Sequence, residues 1–152
     1  MGNIKFFLNE EGKWTWIRFD TDLSMYNAGA NRIQENLDHT KVGGSDLTGK
    51  TFGVYLMENP EFRDKYLTRM AWQMNNIWTE ENVIDRIDEI QSMIIGDMEK
   101  ECRRWRTSYD YWLECVEALR TFARKRNANM LLHIQQFFGF TDKQMREYGF
   151  KI

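Results

Sequence analysis

Three oxygen-bearing side chains near the N-terminus carry the best candidate chemistry. Asp20 and Asp22, in Asp20-Thr21-Asp22, stand two positions apart directly after an aromatic-rich run. On an extended segment both carboxylates point to one side, and a hard cation such as Mg²⁺ needs oxygen ligands held together in that way. Aspartates after strands more often serve only to end them, so a third group is needed. Asn3 supplies it. If the runs flanking Asn9–Gly12 form a hairpin with Leu8 opposite Lys13, Asn3 falls opposite Arg18 and emerges beside Asp20 at the open end. Asn3, Asp20 and Asp22 are therefore the expected metal ligands.

Other clusters are weaker. Gly44-Ser45-Asp46-Leu47-Thr48-Gly49-Lys50-Thr51 fits the phosphate-loop pattern G-x-x-x-x-G-K-[ST]. That pattern works after a buried strand in a parallel sheet, and no such strand pattern precedes or follows it. Arg103, Arg104 and Arg106 around Trp105, with Arg120, Arg124, Lys125 and Arg126, could form one basic face with a stacking ring. Arginines near helix ends also pair with neighbouring carboxylates, which is the simpler expectation. His39 and His133 lack partners at metal-ligand spacing, and His133 reads as a hydrogen-bonded helix histidine. Cys102 and Cys115 can build neither a disulfide framework nor a zinc knuckle and read as small core residues.

The elements that must position these groups begin with two strand-like runs, Asn3–Leu8 and Lys13–Phe19, joined by a four-residue turn ending in Gly12. From Thr21 to Lys50 no period is sustained, and a long loop is expected with one helical turn near Ala30–Leu37. Helices follow. One covers Leu47–Glu58. Asn59-Pro60 opens the next, with Phe62, Tyr66, Met70, Met74 and Ile77 on its buried face. Thr79 caps another running to Trp105, whose buried stripe is Val83, Ile87, Ile90, Ile94 and Met98. Thr107–Asp110 resembles a capping box for a helix through Trp112, Val116, Leu119 and Ala123. A break is expected at Asn127 or Asn129, a stop at Gly139, and a last capping box at Thr141 and Gln144.

Composition bounds the rest. The chain has 152 residues, 42% hydrophobic and 14% aromatic, with one proline, which excludes disorder and collagen-like repeats. This is the size of one domain, 1–152, divided into hairpin (3–19), loop (20–46) and helical region (47–152). A net charge of -2 excludes a global pull toward nucleic acid or anionic membrane. No apolar run approaches a membrane span and the N-terminus has no signal-peptide pattern, so a soluble chain is expected, its location left open.

The segments NIKFF, GKWTWIRFDTDLSM, LMENPEFRDKYLTRMAWQMNNIWTEENVIDRIDEI, ECRRW and EALRTFARKR resemble, in order, the C-terminal part of the CotH family, atypical protein kinases first associated with the spore coat. The resemblance implies a mainly α fold: a short N-terminal β-hairpin, a long loop and a four-to-five-helix bundle like a diverged kinase C-lobe. It equates Asn3 with the catalytic-loop asparagine, Asp20 with the magnesium-binding aspartate and Asp22 with a supporting carboxylate. It implies Mg or Mn with ATP as cofactors of an intact parent that phosphorylates Ser of a protein. The partners it implies are that substrate and an N-terminal kinase lobe, with neither nucleic acid nor membrane. The catalytic aspartate, five residues before the asparagine in the usual pattern, would precede residue 1, as would the glycine-rich loop. The chain is thus expected to be an inactive portion of such a kinase. The alternative is a non-catalytic helical module that binds a protein through its basic face or Met/aromatic groove. RNA binding through Arg103–Arg106 is a third possibility, with little behind it.

Overall fold

The computed structural model describes residues 4–18, 24–38 and 49–152. β1 (Ile4–Leu8) and β2 (Trp14–Arg18) form an antiparallel hairpin. The helices are α1 (Arg32–Leu37), α2 (Gly49–Glu58), α3 (Pro60–Asn76), α4 (Glu80–Trp105), α5 (Tyr109–Phe138) and α6 (Asp142–Glu147). The expected mainly helical architecture with an N-terminal hairpin is what forms.

The hairpin register differs from the expected one by a residue. Leu8 pairs with Trp14 and Ile4 with Arg18, so Arg18 does not face Asn3. The turn itself is the cause. The Asn9 side chain accepts from the Lys13 amide at 2.8 Å and from the Glu11 amide at 3.1 Å, while the Asn9 amide donates to the Lys13 carbonyl. Lys13 is thereby consumed in the turn, where Asx side-chain bonding competes with the strand ladder. Gly12 completes the turn at φ 72°.

The helix signals in the sequence are realised where they are local. Asn59 caps α3 through the Phe62 amide with Pro60 behind it, Thr79 caps α4, and Thr141 and Gln144 form the reciprocal capping box of α6. Gly139 ends α5 in the left-handed conformation. The cap of α5 is Ser108, one residue beyond the expected box, so Asp110 has no place in it.

α5 runs unbroken through Asn127 and Asn129, where a break was expected. The Asn127 amide donates sideways to the Trp78 carbonyl at 2.7 Å, and the Asn129 amide donates back to the Lys125 carbonyl. The Asn127 bond leaves the helix ladder alone, and the Asn129 amide shares the Lys125 carbonyl with the ladder without interrupting α5.

The core joins Ile33 and Leu37 of α1, Leu67, Ala71 and Met74 of α3, Ile134 of α5, Met145 of α6 and Phe150. The buried line of α3 is thus rotated from the expected face: Tyr66 and Met70 flank it, and Ile77 is 45% exposed. The Tyr148 hydroxyl donates to Asp64 at 2.8 Å, and the Asn75 amide donates to the Gly149 carbonyl, fastening the C-terminal turn to α3.

α4 and α5 form a long helical hairpin. Arg106 turns the chain at φ 56°, and the Thr107 amide donates to the Cys102 carbonyl. α5 covers only one side of α4, so the expected buried stripe is half-open. Val83, Ile87 and Met98 are half-buried, whereas Ile90 and Ile94 stay exposed and only Cys102 is buried. Among the described residues no helix is long and apolar enough to cross a membrane.

Candidate functional site

Asn3, Asp20 and Asp22 lie outside the described residues. The hairpin that borders them closes on the Ile4–Arg18 pair, so the strand pairing runs to within one residue of Asn3 and two of Asp20 in the chain. Among the described residues no cluster of three His, Cys, Asp or Glu could hold a metal ion. Of the phosphate-loop-like stretch, Gly44–Thr48 also lies outside the described residues, and Gly49–Thr51 open α2. The sheet of the described residues has two strands only, paired antiparallel, which is not the parallel setting that such a loop uses.

The basic residues do not form one face. Arg103, Arg104 and Trp105 stand at the α4–α5 turn, whereas Arg120 bonds Asp88 near the start of α4. Asp88 and Arg103 are fifteen positions apart on one helix, about 22 Å at 1.5 Å per residue. Several of these arginines are also engaged locally. The Arg120 guanidinium bonds Asp88 at 2.6 Å, with Gln91 and Glu117 beside it, and Arg124 bonds Glu117 at 2.7 Å. The Arg124 bond, reinforced by Arg120, holds the Glu117 carboxyl below the usual carboxylate range. Arg104 pairs with Glu101 and lies 5.5 Å over the Trp105 ring, whose indole N–H donates to Glu101. The basic face, one of the two surfaces offered for the interaction-module reading, is thus divided, with Arg104 in one local network and Arg120 and Arg124 in another.

His133 departs from its expected role. Its ring is buried, yet among the described residues Nδ1 has no hydrogen-bond partner. Burial, and then the nearby Arg126 charge, hold the imidazole below the ordinary histidine value. Cys102 is buried as expected, but Cys115 is exposed beside the Tyr111 hydroxyl. Helix geometry explains the difference, because Cys115 precedes the buried Val116 and so lies a quarter-turn around α5. Met74 is core and Met70 packs against it, as expected.

One arrangement had no sequence signal. Arg126 of α5 donates to the carbonyls of Ala28 at 2.9 Å and Ala30 at 2.8 Å. It thereby fixes the segment following the candidate aspartates alongside α5. The bonds join backbone carbonyls to a side chain nearly one hundred positions away, so no local pattern announces them.

A family model described as CotH kinase protein matches residues 1–130. No curated protein and no solved structure matches the chain.

Proposed function

The chain belongs to the CotH family, and from that premise we propose that it forms the metal-binding hairpin and helical part of a protein kinase that transfers phosphate from ATP to a serine. Asn3 and Asp20 are the proposed metal ligands, with Asp22 in support. The observation that carries this reading is the extent of the family match, which runs through all three residues, the hairpin and the helices through most of α5.

The donor set suits the group. One amide oxygen and two carboxylates are hard ligands of the kind Mg²⁺ and Mn²⁺ take. Bound there with ATP, the cation would neutralise charge on the transferring phosphates. The work assigned to this chain is positional. β1 and β2 pair through Ile4 and Arg18, so the two chain ends that carry Asn3 and Asp20 are tied by backbone hydrogen bonds. Groups held in place before the reaction lower its barrier without reorganising during it.

The test is calorimetric titration of the chain with Mg²⁺ or Mn²⁺, with and without ATP, comparing wild type with Asp20→Ala. Binding heat in the wild type that is lost in Asp20→Ala supports the assignment. Equal heats in both proteins, or none in the wild type, overturn it.

A further inference from the structure

A cleft of about 690 Å³ lies between residues 26–29 and α5. Its helical wall is a single stripe, with Glu114, Ala118, Phe122 and Lys125 spaced by three or four residues so that they stack on one face. The opposite wall is the segment that Arg126 pins through Ala28 and Ala30. Tyr26 stands at its rim, 86% exposed.

The charges along this trough are distributed unevenly. Glu117 within it is paired with Arg120 and Arg124. Glu114 at one end and Lys125 toward the other are exposed, and among the described residues neither has an ion-pair partner. They stand eleven positions apart on α5, about 16 Å at 1.5 Å per residue. An extended chain covers that distance in about five residues at 3.3 Å each.

We propose that the cleft seats an extended segment of a partner protein, with a Lys or Arg side chain facing Glu114 and an Asp or Glu facing Lys125. An open trough with an aromatic rim and two separated, unpaired, opposite charges suits a peptide, whereas small-molecule sites enclose most of their ligand. Exposed Tyr26 and the Phe122 ring offer the rigid contact area that peptide anchors use. The inference rests on the kinase reading for one point only, that the seated segment belongs to the phosphorylated substrate.

The test uses fluorescence anisotropy with fluorescein-labelled Gly-Arg-Ser-Gly-Ser-Gly-Asp-Gly and its two relatives carrying Arg at both charged positions or Asp at both. Wild type is expected to bind the Arg/Asp peptide at least fivefold more tightly than either relative. Glu114→Lys should shift the preference to the Asp/Asp peptide, and Lys125→Glu to the Arg/Arg peptide, each by about tenfold. Both positions are exposed, and unchanged circular dichroism checks that the variants fold. Failure of the wild type to bind or to discriminate, or an unaltered ranking in the charge-reversed variants, overturns the proposal. No metal or nucleotide is present, so this outcome is independent of the assignment of Asn3 and Asp20.

Discussion

Arg126 donates a hydrogen bond from its guanidinium to the carbonyl of Ala28, 98 positions earlier in the chain, at 2.9 Å. The same nitrogen reaches Ala30, and among the described residues no carboxylate pairs with this cation. A charge so placed is committed to holding backbone. Its surroundings, burial first and Arg32 second, work against the charged form.

Arg126→Ala should therefore free residues 27–30 from α5. Hydrogen bonds from a charged group contribute about 1.5–3 kcal/mol, and a loss of that order is expected in urea denaturation. Hydrogen exchange gives the local readout. The Ala30 and Arg32 amides, bonded to Asn27 and Ala30 carbonyls, should lose protection while those of the α3 interior keep theirs.

The core and the open face of α4 should respond differently to truncation. Leu67 and Ile134 are fully buried, and either change to Ala should cost about 2–5 kcal/mol. Ile90, 45% exposed, should cost less than about 1 kcal/mol on the same change, since little apolar area is lost. Chemical denaturation of the three variants at one pH decides this; a large loss at Ile90 would mean that α4 is covered in solution.

His133 should make stability depend on pH. Its folded value is depressed, so below the unfolded value of about 6.5 the unfolded chain binds the proton more readily. Stability is complete above that pH and falls as the pH drops through it. Denaturation midpoints between pH 5 and 7.5 should show this slope in the wild type and a flatter profile in His133→Phe.

Two glycines should respond with opposite signs. Gly139 holds φ 65° at the end of α5, and an added Cβ there would meet nothing within 4 Å. Gly139→Ala should therefore cost about 1–2 kcal/mol through backbone strain alone, and Gly139→Asn less. Gly96 lies inside α4, also with open space around it. Gly96→Ala should stabilise by about 0.4–1 kcal/mol. Thermal melts of the three variants check the order.

Features that depend on neighbours within four residues were legible in the sequence. Asn59 with Pro60, Thr79, Gly139, and Thr141 with Gln144 each act on amides or carbonyls within one helical turn, so their spacing alone announces the helix end. The hairpin was legible too, but its register was not. Both a four- and a five-residue turn suit Asn9–Lys13, and the bond from the Lys13 amide to the Asn9 side chain selects the longer. The candidate ligands Asn3, Asp20 and Asp22 were chosen from residue type and spacing, and the family match encloses them without describing their geometry. Periodicity identified Ile90 and Ile94 as one apolar face of α4, but an amphipathic pattern carries no information about what covers it. Packing left that face half-open because α5 lies on one side only. The Arg126 clamp, the lateral bond of Asn127 and the trough between Glu114 and Lys125 depend on chain segments tens of residues apart. Local propensity acts over a turn or two of chain, so only folding brings such groups within hydrogen-bond reach.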